Sequence, residues 1–139
     1  MTAPNDCPFC HTSERVLLQN ELATAFLSDP RKVKGHFLVT PKRHVEQPWL
    51  VTKEERLAIF ELIDTLQQRL LGQMGDGWDV RQNYRPFLED SRLKVSHTHY
   101  HVIPRRKFDH IYDVSERYET VLFSKLTDQE CQEVAALLG

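Results

Sequence analysis

Three histidines alternate in the run Val95-Ser96-His97-Thr98-His99-Tyr100-His101-Val102-Ile103-Pro104. On an extended strand alternate side chains share a face, with roughly 6.5–7 Å between successive same-face positions. His97, His99 and His101 therefore line one face, while Thr98, Tyr100 and Val102 point to the other, toward a core. Imidazole changes charge near neutral pH and also ligates metals. The run thus serves either nucleophilic and acid–base chemistry or a metal site, since H-x-H on a strand can chelate zinc. Spacing alone does not separate these readings.

A second group stands near the start, where Cys7-Pro8-Phe9-Cys10 has C-x-x-C spacing. That spacing suits zinc or a redox pair. A redox pair wants a strand before it and a helix after it, and Pro8 with its polar flank supplies neither. His11 directly follows Cys10. The third cysteine, Cys131, sits in an amphipathic helical pattern and reads as a small buried apolar residue.

These groups need a scaffold, and its parts are legible. Arg15 to Ser28 reads as two short strands turned at Gln19-Asn20-Glu21. His36 to Thr40 is a third strand, entered through Gly35 and stopped by Pro41. Thr52 to Leu71 is a helix. Thr52 and Glu55 make a capping box, and Leu57, Phe60, Ile63, Leu66 and Leu70 form a stripe expected to be buried. Gly72 stands where a helix-terminating glycine belongs. Trp78 to Asn83 is a strand, Arg85 to Lys94 an irregular polar loop, and Val95 to Ile103 the histidine strand. Tyr112 to Lys125 has no clear pattern. Thr127 and Glu130 form a second capping box before a short helix ending near Leu138. A run of strands with one long inserted helix points to an antiparallel α+β domain.

Composition sets the outer limits. A chain of 139 residues is one domain by length, with residues 1–5 expected as a loose arm. It buries roughly two-thirds of its unfolded surface and needs no disulfide framework. A net charge of −2 argues against a dedicated duplex-binding protein or any grip on a long nucleic acid. No apolar run approaches the roughly 18 residues of a membrane span, and no secretory leader is visible. With three cysteines, an odd count, a reducing cytoplasm is the expected location.

The histidine run, H-T-H-Y-H-V-I followed by Pro104-Arg105, resembles the motif of the histidine-triad (HIT) family of nucleotide hydrolases and transferases. Upstream, Ala25-Phe26-Leu27, Gly35-His36-Phe37-Leu38-Val39 and Pro41-Lys42-Arg43-His44 resemble further family motifs in order. C-P-F-C resembles the opening of many bacterial members. The resemblance runs from Cys7 to Arg105. It implies a HIT-like five-stranded antiparallel sheet with one long helix and a short C-terminal helix, paired as a homodimer. It implies a nucleotidyl hydrolase or transferase acting on dinucleoside polyphosphates or nucleoside phosphoramidates. His99 is then the nucleophile toward the α-phosphorus, oriented by the backbone carbonyl of His97. His101 and His36 flank the phosphate. Implied nucleotide contacts are Phe26, Ser28, His36, Asn83, Lys94 and His101. Similarity to the related galactose-1-phosphate uridylyltransferases implies one structural zinc held by Cys7, Cys10, His44 and His97, with His11 competing for the place of His44.

Two positions depart from the family. Ser28 stands where an Asp or Asn usually holds the ribose. Lys94 stands where a Ser or Thr usually touches phosphate, and a lysine there is either a point charge for phosphate or a solvated loop residue. The loop before the triad is also about three residues longer than usual. Beside the hydrolase, two alternatives stand: a zinc metallohydrolase with the triad as ligands, and a nucleotide-binding module without turnover.

Overall fold

The computed structural model describes residues 6–139, so the reading of residues 1–5 as a loose arm lies outside the described residues. The chain divides into two compact units, Met1–Lys107 and Phe108–Gly139.

The first unit is built on a sheet of five antiparallel strands. They are β1 Val16–Gln19, β2 Ala23–Leu27, β3 Phe37–Pro41, β4 Gly77–Gln82 and β5 Tyr100–Arg105, in the order β1-β2-β3-β5-β4. Asn20 makes the first turn, its side-chain oxygen accepting from the N–H groups of Leu22 and Ala23. Helix α1, Lys53–Leu70, starts at the expected capping box, with Thr52 and Glu55 each bonding the other's backbone N–H. α1 lies against β2 and β3. Its buried residues are Ala58, Ile59, Leu62, Ile63 and Leu66, together with Glu55.

The expected stripe is therefore corrected. Leu57 is 64% exposed and Phe60 43% exposed. Apolar residues crowd α1 densely enough to draw two overlapping stripes, and the sheet takes the one through Ile59 and Ile63. Glu55 is the buried charge on that side, and it is met by Arg43 at 2.8 Å.

The histidine strand is corrected as well. Regular pairing begins at Tyr100 rather than Val95, with Val39↔Tyr100 and Leu38↔His101 in register. Pro41 follows on β3 and has no N–H to give the ladder. The segment turns instead to the 45–46 loop, where the Thr98 N–H donates to the Val45 carbonyl at 2.6 Å. His97 and His99 thus sit just off the end of a strand, held by specific bonds.

Gly35 brings His36 into line at φ +87°, and a Cβ there would meet Met74 Sδ at 3.2 Å and Pro104 Cγ at 3.3 Å. Only glycine combines that backbone with that close approach.

The second unit contains α2 His110–Val114, a short 3-10 helix Glu116–Leu122 and α3 Asp128–Leu138. α3 opens on the expected Thr127/Glu130 capping box. Cys131 is exposed, not buried, because α3 buries none of its residues in this chain alone.

Candidate functional site

Cys7, Cys10, His44 and His97 converge, their ligating atoms all within 4.8 Å of one another. Cys10 Sγ lies 3.3 Å from His44 Nδ1 and 3.5 Å from His97 Nδ1, and Cys7 Sγ lies 3.6 Å from His97 Nδ1. Tetrahedral zinc, with Zn–S about 2.3 Å and Zn–N about 2.1 Å, sets a sulfur and a nitrogen about 3.6 Å apart. The three sulfur–nitrogen separations lie close to that figure.

The far nitrogens fit equally well. His97 Nε2–H donates to the Pro41 carbonyl at 2.9 Å, and His44 Nε2–H donates to Glu46 Oε2 at 3.0 Å. Each bond leaves Nδ1 as a lone pair aimed into the group, the arrangement that outer partners give metal-bound imidazoles. Burial pushes the Cys10 thiol up to about 12, with the hydrogen bond and charge of Cys7 adding to it. A coordinated cation would favour the ionised form of such a thiol. His11 is exposed and outside this group.

His97 carries a second duty through its backbone. His99 Nδ1–H donates to the His97 carbonyl at 2.7 Å. That bond fixes the tautomer of the neutral ring and leaves Nε2 as its free lone pair. Burial holds the His99 pKa below the usual imidazole value, and the bond to the His97 carbonyl partly offsets this. A neutral His99 is the nucleophilic form.

The remaining pair is ordered in a chain. The Lys32 backbone N–H donates to His36 Nδ1 at 3.1 Å, so the proton of neutral His36 is on Nε2. That Nε2 lies 2.9 Å from His101 Nδ1 and donates to it. His101 therefore carries its own proton on Nε2. Burial lowers His36 to about 4, with Lys32 and His99 adding to it. Burial also lowers His101 to about 3, helped by His99, His36, Lys32 and Arg81. Both rings are neutral hydrogen-bond donors at pH 7. With both His97 nitrogens committed, to the cysteine group and to Pro41, the triad has no complete ligand set of its own.

His99 and His101 line two adjoining cavities. One includes Asn83, Tyr84, Arg85 and Lys94, and the other Phe9, Ser28, Lys32 and His36. Lys94 Nζ bonds Ser96 Oγ at 2.8 Å and Asp90 Oδ1 at 3.1 Å. Ser28 Oγ donates to the Pro30 carbonyl at 2.8 Å. Phe26 is fully buried, packed edge-on behind Phe9 with ring centroids 5.4 Å apart. Phe9, unforeseen in the sequence, is the aromatic wall, its ring centroid 4.9 Å from that of His99. Its position between the two cysteine ligands was the available signal. Glu46 was also missed, since nothing in its sequence context marks it as a partner of His44.

Three comparisons with known proteins bear on this site. The HIT domain pattern matches residues 11–108. An uncharacterised HIT-like protein of Borreliella burgdorferi is 30% identical, covering 75% of this chain and 78% of that protein. The bis(5′-adenosyl)-triphosphatase of Dictyostelium discoideum is 27% identical, covering 78% of this chain and 72% of that one. Among solved structures, a HIT family member from Bacillus subtilis superposes with a TM-score of 0.73 at 22% identity, covering 96% of this chain and 95% of that chain. A zinc-bound histidine triad protein from Mycobacterium smegmatis superposes with a TM-score of 0.61 at 24% identity, covering 76% and 78%. At these identities the superpositions establish the fold.

Proposed function

This chain belongs to the HIT domain family, and from that premise we propose that it is a nucleotidyl hydrolase whose nucleophile is His99. One observation carries the reading: the 2.7 Å bond from His99 Nδ1 to the His97 carbonyl, which presents the Nε2 lone pair beside His101, whose Nε2–H the bond from His36 leaves available. His99 Nε2 attacks the α-phosphorus, forming a P–N bond as the bond to the leaving group breaks. His101 Nε2–H stabilises the charge that develops on the phosphoryl oxygens or protonates the leaving group. His36 restrains the His101 ring through their bond. Water then attacks the phosphorus, the P–N bond breaks, and His99 is regenerated with release of a nucleoside monophosphate. The substrate class is a dinucleoside polyphosphate or a nucleoside phosphoramidate.

Cys7, Cys10, His44 and His97 would hold one zinc. Four protein ligands leave zinc no open position, so it supplies structural bracing. The chain's own residues do the rest: His97 ties that group to the carbonyl that orients His99, and Phe9 ties it to the cavity wall. A homodimer suits the exposed Leu57 and Phe60 of α1, and three free cysteines suit a reducing cytoplasm. No helix among the described residues is long and apolar enough to cross a membrane.

The test is a panel of dinucleoside tri- and tetraphosphates and nucleoside 5′-phosphoramidates. The wild type should turn over at least one class, and His99→Asn should lose that turnover. Folded wild type that binds nucleoside monophosphates but turns over neither class would replace this reading with a binding module.

A further inference from the structure

The cavity on the Phe9 side carries an unusual charge. Arg15, Arg31, Lys32 and Arg92 line it, against the single carboxylate of Asp29. None of these cations forms a salt bridge among the described residues, although Arg43, Lys94, Arg105, Arg106 and Arg117 all do, and the charge of Asp79 reaches Lys32. Arg15 gives one N–H to the Leu27 carbonyl and lies 5.1 Å over the Phe26 ring, leaving its other donors open. His36 and His101 in the same cavity are neutral donors, so they do not account for the excess. This concentration occurs in a chain whose net charge is −2. Burial and the nearby Arg81 and Arg85 disfavour the charged form of Lys32, Asp79 offsets them in part, and a bound anion would favour the charged form further.

Two of the cations, Arg31 and Lys32, sit on the strip that follows Ser28, whose own hydroxyl proton is spent on Pro30. A free ribose diol is held by a carboxylate acceptor, whereas a phosphorylated ribose is held by arginine. A surplus of three positive charges around the cavity favours the second ligand. We propose that this cavity selects nucleotides carrying a second phosphate on the ribose, at the 2′ or 3′ oxygen, in addition to the 5′-phosphoryl group that faces His99. Phe9 supplies the apolar surface for the nucleoside, and Arg31 and Lys32 are the first residues expected to hold the added phosphate.

This rests on the reading above that the site binds nucleotides, and binding of product-like ligands tests the two separately. The probes are the four common nucleoside 5′-phosphates, their 2′,5′- and 3′,5′-bisphosphates, and the corresponding 5′-triphosphates, titrated by calorimetry at fixed ionic strength. One charge-assisted bidentate contact predicts that a ribose bisphosphate binds at least about tenfold tighter than its monophosphate. That ratio should fall below about threefold in Arg31→Ser with Lys32→Met, and should fall in the wild type as salt rises. Monophosphate binding with no gain from the ribose phosphate overturns the proposal and leaves the nucleotide reading standing. A triphosphate gain equal to the bisphosphate gain overturns the ribose placement. Failure of every nucleotide to bind overturns both.

Discussion

Glu46→Ala should weaken zinc binding about tenfold while leaving the metal-free fold nearly unchanged. His44 is 3% exposed at its side chain, and among the described residues its hydrogen-bond partner beyond the cysteine group is Glu46 Oε2 at 3.0 Å. With metal on Nδ1, the His44 proton is confined to Nε2 and needs that acceptor. Without metal the ring can change tautomer and donate from Nδ1 to Cys10 Sγ, 3.3 Å away. The carboxylate is therefore worth more in the metal-bound form. A stranded buried donor costs about 1–3 kcal/mol, and loss of an outer partner typically costs 10–100-fold in metal affinity. Glu46 is 48% exposed, so water replaces part of the lost bond and the effect falls at the low end of that range. Glu46→Gln keeps an acceptor oxygen and should recover most of the loss. Competition against a chromophoric zinc chelator at constant pH reads the affinity, and urea unfolding with a strong chelator present reads the metal-free stability. Unchanged zinc affinity in Glu46→Ala, with His11→Ala weakened instead, would refute the assignment of His44 Nδ1 as a ligand.

Two further perturbations probe the reacting side. Phe9→Ala removes the ring that meets His99 at 4.9 Å and Phe26 at 5.4 Å, and should raise KM for the nucleotide about tenfold with zinc content unchanged. Loss of the zinc instead would mean that Phe9 serves only the metal loop. His36 has a folded pKa of about 4 against 6.5 for the free ring. Its neutral form is thus favoured by folding, and the stability it contributes is complete above about pH 6.5 and lost as pH falls through about 4. The full term is up to about 3 kcal/mol from the linkage constant. Urea midpoints from pH 8 to 4 should fall less steeply in His36→Gln than in the wild type. Parallel curves would contradict the burial argument.

Legibility in the sequence followed the range of the forces involved. Capping boxes at Thr52 and Thr127 involve residues three apart, and both formed as read. Alternation placed the strands and brought the Cys7–Cys10 pair to His44 and His97 through the family's motif order. The buried stripe of α1 was not legible, because Leu57, Ala58, Ile59 and Phe60 are all apolar and only the sheet decides which face is covered. The late start of the histidine strand, at Tyr100, depended on Pro41, a residue of a different strand. Phe26 and Phe9 are both aromatic neighbours of the site, and only packing reveals that Phe9 faces the cavity and Phe26 lies behind it. Glu46 acts through one carboxylate–imidazole bond, which leaves no pattern to read.

The central claim is a covalent nucleotidyl–histidine at residue 99. Rapid quench of the wild type with an α-phosphorus-labelled dinucleoside polyphosphate or phosphoramidate that it turns over measures it directly. The account predicts a labelled protein adduct that is stable in base, released in acid, mapped to His99 and absent from His99→Asn. Full turnover with no adduct in the wild type, or with an adduct that persists in His99→Asn, would contradict it.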